Sequence, residues 1–217
     1  MLSFSLLFIG YLSDTVGPFL SGSTLRSECA VACVNNANCS SFFYDVNTQA
    51  CYLEKYVYVA MDQLYHQRGV QYYSLLNEAC PAGYVYCRFT NQCLRLHSSS
   101  KMKYPAAKTL CLENSGHLAF IMAKEENEQA SVVAENNTVW IGLERNDGDD
   151  EWHWANGHSL GPYINFNQAS LEDEQIYGRM FPLGKWGAYS ANGVLFTLCE
   201  IGVEGKSNAL MCWDINS

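Results

Sequence analysis

Apolar positions along this chain recur with two periods, and each change of period marks an element. Trp140, Ile141 and Leu143 form a short apolar run that predicts a buried strand, and Trp152 and Trp154, two apart, share one face of a second. The polar residues from Asn146 to Asp150 form the turn between them, so the stretch from Trp140 to Gly157 predicts a hairpin in a core. Bulky aromatics at this density bury a large apolar area, and a glycine between two of them marks close backbone approach. Upstream, Tyr104, Ala107 and Cys111 fall at i, i+3 and i+7 and predict one stripe of a helix. Lys124 to Glu135 predicts a second, mostly solvated helix with Ala130, Val132 and Val133 turned inward. Nearer the start, residues 23–35 predict a helix capped by Ser23 or Thr24, with Cys29 and Cys33 on one face. Ser41–Tyr44 and Ala50–Leu53 flank the turn Asp45 to Gln49 and predict a second hairpin. Helices and short strands intermixed in this way imply an α+β chain.

Composition narrows the class. At 217 residues the chain has room for one large or two small domains, and its cysteines favour two. Cys29, Cys33, Cys39 and Cys51 precede residue 60, whereas Cys80, Cys87, Cys93, Cys111, Cys199 and Cys212 follow it. Ten cysteines with no paired zinc spacing predict disulfides and an oxidising compartment. Leu2 to Leu12 is an apolar run long enough for a signal-peptide core and too short to span a membrane. The expected leader ends within residues 12–22 and is set at residues 1–17. No membrane insertion is expected. A formal charge of −9 argues against a nucleic-acid partner, which would repel an acidic surface. In a secreted chain, Asn38-Cys-Ser40 and Asn136-Asn-Thr138 are candidate glycosylation sites, the second the better placed.

Residues flanking the central hairpin carry a resemblance. Tyr104-x-x-Ala107-x-x-x-Cys111, Gly116-His-Leu-Ala-Phe-Ile121, the acidic helix around Glu125 and Glu126, Trp140-Ile-Gly-Leu143, Trp186 and Cys199-Glu200 follow in that order. This order resembles a C-type lectin-like domain over residues 80–202, leaving 203–217 as a C-terminal extension. The resemblance implies pairing of Cys111 with Cys199 and of Cys80 with Cys93, with Cys87 and Cys212 left for each other. Closing the 88-residue loop between Cys111 and Cys199 would stabilise the fold by about 4 kcal/mol on the chain-entropy model. The helix and hairpin of residues 18–76, with their four cysteines, resemble the PAN/apple module. That likeness implies Cys29 with Cys51, Cys33 with Cys39, and Gly69 to Ser74 as the closing strand. The link from Ser74 to Glu78 is too short for the two modules to move independently.

Where sugar-binding members of the lectin family carry Glu-Pro-Asn or Gln-Pro-Asp and later Trp-Asn-Asp, this chain has Phe166 to Asp173 without proline and Trp186-Gly187-Ala188. Calcium needs six to eight oxygen ligands, and several are missing. A second family disulfide is also gone, with Glu174 and Ala191 at its two positions. Asp147, Asp149, Asp150 and Glu151 are contiguous and read as a solvated turn rather than a calcium loop. The histidines fall in unrelated contexts and no free thiol is expected, so no nucleophilic or metal-dependent catalysis, cofactor or metal is predicted. The chain reads as a secreted recognition protein that binds carbohydrate without the usual calcium site, or alternatively as a protein-binding scaffold with no sugar ligand. Its expected partner is a glycan or an extracellular protein. The expected contact surface comprises Glu172, Asp173, Tyr177, Lys185, Trp186 and Tyr189. Trp186 either stacks on a sugar or belongs to the core, and the sequence leaves both open.

Overall fold

The computed structural model describes residues 3–12, 24–60, 64–145, 151–167 and 175–203. Two sheets organise these residues. The first has four strands, β1 (Ser3–Leu12), β2 (Ser41–Asp45), β3 (Ala50–Glu54) and β4 (Tyr65–Leu76), in the order β1-β4-β2-β3. Helix α1 (Arg26–Asn35) packs on β2 and β3 and buries Cys29 and Cys33, as their spacing of four requires. Phe42 and Tyr73 stack on one face of this sheet, and Phe43 and Tyr72 meet on the other. Both pairs are buried, so they build the core and offer no ligand shelf.

One expectation for this half changes. The N-cap of α1 is Leu25, not Ser23 or Thr24; the Glu28 carboxylate accepts the Leu25 backbone N–H at 2.6 Å. Thr24 is buried, with its carbonyl accepting the Tyr44 hydroxyl, and Ser23 lies outside the described residues. The run expected as a leader core forms β1, antiparallel to β4.

The second sheet belongs to the C-terminal half. Its strands are β5 (Val85–Cys87), β6 (Gln92–Met102), β8 (Val139–Glu144), β10 (Tyr177–Met180), β11 (Trp186–Tyr189) and β12 (Leu195–Gly202), and β7 (His117–Leu118) pairs with β12. They lie in the order β11-β10-β8-β12-β6-β5. The strands of the central hairpin pair: β9 (His153–Trp154) lies antiparallel to β8, with Leu143 opposite Trp154, and the expected turn at 146–150 lies outside the described residues. Gly142 has the predicted close approach, since a Cβ there would sit 2.4 Å from the Phe120 ring. Helix α2 (Tyr104–Glu113) buries Tyr104, Ala107 and Cys111. Helix α3 (Lys124–Val133) buries Ala130 and Val133 together with the polar Asn127 and Gln129, while Val132 is only partly buried.

Among the described residues, four disulfides staple the chain: Cys29–Cys51, Cys33–Cys39, Cys80–Cys93 and Cys111–Cys199. The last joins α2 to β12. Cys87 is buried, and Cys212, its expected partner, lies outside the described residues.

Glu200 is a buried carboxyl on β12. It accepts the Gln92 amide at 2.9 Å and the Phe120 backbone N–H at 3.0 Å, yet burial still pushes its pKa above the ordinary 4.5. His117 opposes that shift and Glu126 adds to it. A folded-state carboxyl held above its unfolded value binds the proton more tightly when folded. Its contribution to stability is therefore present at acid pH and is lost as pH rises above about 4.5. Glu200→Gln should remove that loss, because a neutral amide can donate to the buried, unpaired Oε1 of Gln92. Melting temperatures of wild type and variant, measured from pH 4.5 to 8, should diverge in favour of the variant as pH rises; parallel curves would exclude the assignment.

Candidate functional site

The end of the second sheet where β10 and β11 meet the segment 155–167 holds most of the residues singled out for ligand contact. Strand alternation decides which way each points. In the register, Tyr177 faces Tyr189, Gly178 faces Ala188, Arg179 faces Gly187 and Met180 faces Trp186. Met180, Trp186 and Ala188 enter the main core beneath the sheet, whereas Tyr177 and Tyr189 pack on the opposite side with Tyr104 and Trp140. Gly178 permits this arrangement, since a Cβ there would lie 2.4 Å from that of Leu143.

Trp186 is completely buried. Its indole N–H donates to Asn127 Oδ1 on α3 at 2.7 Å, and its ring meets Trp154, Tyr163 and Phe166 edge-on at 5.6, 5.6 and 5.7 Å. Its backbone also holds the neighbouring segment: the N–H donates to Asn165 O at 2.9 Å, and its carbonyl accepts from Asn167 at 2.7 Å. The sequence left core and ligand shelf equally open, and the structure resolves that choice as core. No face of the ring is left for a sugar.

The two tyrosines are partly buried, and their rings are engaged in packing. Tyr177 stacks on Tyr104 with centroids 4.0 Å apart, and Tyr189 packs against Trp140 at 5.6 Å. The Arg179 guanidinium lies 4.1 Å from the Tyr189 ring and 4.5 Å from Phe181. A Cβ at Gly193 would meet the Tyr189 ring at 2.1 Å, so the turn after β11 also closes against that ring.

Lys185 is exposed and donates to Asn165 Oδ1 at 2.8 Å, while the Asn165 amide donates to Gly184 O at 2.8 Å. This amide clamp ties the 155–167 segment to the 3-10 turn Pro182–Gly184. Beside it, Leu183 is 86% exposed at φ 66° and Ile164 is 56% exposed. A bulky non-glycine residue in the left-handed region is strained. Sequence reasoning missed both aliphatics; a Pro-Leu-Gly turn between two strands was the available signal. Glu172 and Asp173 lie outside the described residues, as do Asp147, Asp149 and Asp150. The expected set therefore does not form one cluster: two tyrosines on one side of the sheet, Trp186 on the other, and Lys185 at the tip.

Chemically this end offers amide groups, a lysine and aliphatic side chains. Gly187 and Ala188, where further oxygen donors would stand, have no side-chain oxygen and are buried. Among the described residues no group of three or more His, Cys, Asp or Glu side chains is placed to hold a metal ion.

Comparison with known proteins gives a match to the family described as Lectin C-type domain over residues 100–201 and to the PAN domain over residues 20–77. A snaclec of Philodryas olfersii is 28% identical over 88 residues, 38% of this chain and 54% of that protein, so the chain spans about half the length of that relative. The mouse scavenger receptor C-type lectin carbohydrate-recognition domain is 26% identical with a TM-score of 0.51, covering 58% of this chain and 98% of that domain. A calcium-independent type II antifreeze protein shares the fold at 23% identity and a TM-score of 0.50, covering 57% of this chain and 94% of its own.

The Trp186–Asn127 pair sets an expectation that separates packing from ligand contact. Trp186→Phe keeps most of the apolar burial but leaves the Asn127 amide unpaired, and should cost about 1–3 kcal/mol. Asn127→Ala should cost a similar amount, and the double variant less than the sum, because both changes break one bond. Urea denaturation of the three variants measures this; additive losses would refute the coupling.

Proposed function

Because this chain is a PAN domain followed by a C-type lectin domain, we propose that it is a secreted recognition protein. Its lectin domain engages a protein surface without a calcium-held sugar. Binding, not catalysis, is its activity. One observation carries the reading: every aromatic ring proposed from the sequence for ligand contact is used in packing, and the exposed tip presents Leu183 and Ile164 instead. Sugar sites draw on a free ring face and a dense set of oxygen donors. Exposed aliphatics beside a fixed amide clamp suit an apolar pocket on a protein. The lack of side-chain oxygens at Gly187 and Ala188 supports calcium independence.

A calcium-independent carbohydrate ligand is the second reading. It is favoured by the 26% identity to a carbohydrate-recognition domain that is covered almost entirely. A glycan array read with and without EDTA separates the two. The protein-ligand reading expects no glycan signal in either condition. Signal that survives EDTA would favour the second reading, and signal abolished by EDTA would overturn calcium independence. Leu183→Gly provides a sharper test on the protein itself, because glycine relieves the strain at φ 66°. The variant should lose no stability in a thermal melt while binding its protein target at least about tenfold more weakly.

Secretion with cleavage inside residues 12–22 would remove β1 and leave β4 as an edge strand. It would also expose the chain to glycosylation. Asn136 is exposed at φ 57° directly after Glu135 at φ 52°, and the turn is closed by the Asn137 amide, which donates to Ala134 O and Glu135 O. At Asn38 the next residue is disulfide-bonded and Ser40 is buried. Enzymatic deglycosylation in heavy-oxygen water followed by peptide mass spectrometry should label Asn136 and not Asn38, and Thr138→Ala should abolish the label.

A further inference from the structure

Helix α3 reads in the sequence as a mostly solvated helix, yet Gln129 is almost completely buried. Its amide makes two hydrogen bonds with a single residue of the PAN domain: Val57 N–H donates to Gln129 Oε1 at 3.0 Å, and Gln129 Nε2 donates to Val57 O at 3.1 Å. A side-chain amide has here taken the place of a neighbouring strand. Val57 lies in the segment Lys55–Ala60 that follows β3, and the flanking residues add to the contact. The Tyr56 hydroxyl donates to Glu128, and Lys55 lies 3.9 Å from the same carboxylate. Burial, then Glu128, pushes the Tyr56 phenol above its ordinary value, so it remains a donor.

Apolar residues are exchanged across the same boundary. Val59 of the PAN domain packs against the main core of the lectin domain. Val132 of α3 packs against Phe43, Tyr58, Val70 and Tyr72 of the PAN domain. Tyr86 on β5 is buried with the disulfide-lined core of the first sheet. A second polar contact lies at the far end of the junction. Helix α1 has no basic residue in its last turn. Arg88, from the turn after β5, supplies that charge and donates to the carbonyl oxygens of Cys33, Val34 and Asn36 at 3.1, 2.9 and 3.3 Å. A cation at these carbonyls satisfies acceptors that the helix cannot satisfy itself and complements its dipole.

From these contacts we infer that the outward face of α3 is a docking surface whose occupant is the chain's own segment Lys55–Ala60, and that the two domains fold and unfold as one body. Each domain lacks something the other supplies: the lectin domain leaves Gln129 and the pocket of Val59 unfilled without the PAN segment, and the PAN domain leaves α1 without its terminal cation. The consequence for recognition is that the α3 flank is closed to ligands and both domains present their free surfaces in one fixed orientation.

Hydrogen–deuterium exchange on the full-length protein through a urea series tests this. In the wild type, peptides from β2–β4 and from β8–β12 should lose protection at the same urea concentration. Arg88→Ala combined with Gln129→Ala should split the loss into two steps, with amides of the PAN domain exchanging at least about tenfold faster than those of the lectin domain. Lys108→Ala, which removes an ion pair with Glu144 away from the junction, should leave the two sets coincident. If the double variant does not fold, Gln129→Ala alone should show the same split in smaller measure. Separate transitions in the wild type, or coincident ones in both junction variants, would overturn the inference.

Discussion

The indole N–H of Trp186 bonded to Asn127 is the constraint on which the C-terminal half depends. A buried amide or indole without a partner is costly, so each fixes the other's position. Through that bond α3 is held against β11, and through the backbone of Trp186 the segment at Asn165 and Asn167 is held against the same strand. The 3-10 turn follows, because a Cβ at Gly184 would lie 2.4 Å from the Asn127 amide. One tryptophan thereby brings together a helix, a strand, a turn and an irregular segment.

Asn127 and Gln129 stand two residues apart on α3 and so point in different directions from its axis. The first faces the aromatic core under β11, and the second faces the PAN domain. Both are polar residues buried on a helix whose exposed Lys124 pairs with Glu128, the carboxylate that also meets Tyr56 and Lys55 at the junction. The helix therefore serves as the wall between the two domains and owes its position to buried amides on two sides. Apolar packing alone would tolerate sliding of such a wall; paired amides fix its register.

Much of this fold was legible because it follows from period and spacing. The apolar run of Trp140, Ile141 and Leu143 and the alternation of Trp152 and Trp154 announced their strands, and Tyr104, Ala107 and Cys111 announced α2 at helical spacing. The lectin-like and PAN-like residue orders carried the four observed disulfide pairings, which spacing by itself did not determine. Side-chain direction, along one strand as well as between strands, was not read. Tyr177, Trp186 and Tyr189 were grouped by nearness to one another, but Trp186 and Tyr189 are three apart on one strand and so face opposite ways. The N-cap slipped by one or two residues because Glu28 reaches back to Leu25, a local preference that outweighed the hydroxyls just upstream. Gln129 lies in a helix that reads as mostly solvated and Arg88 carries no signal in the sequence, since their partners come from the other domain and no local pattern encodes them.

On the proposed reading, the same geometry explains how this end of the sheet stands without a bound metal. If the loop end were held in shape by a metal, substituting Gly187 and Ala188 at its ligand positions would loosen the turn and the 155–167 segment together. Here that end is held by contacts that involve neither side chain: the Trp186 backbone to Asn165 and Asn167, the Trp186 indole to Asn127, and the Asn165 amide to Gly184. The positions beside Trp186 are thus released from a structural duty. The strained turn at Leu183 is held by the same contacts, for the amide clamp on Gly184 and the packing of Gly184 against Asn127 restrict the backbone on its C-terminal side. A strained, outward-pointing aliphatic persists only where its surroundings over-determine it. On the proposed reading that rigidity suits an exposed anchor, since an anchor already fixed in place has little conformational freedom left to lose on binding.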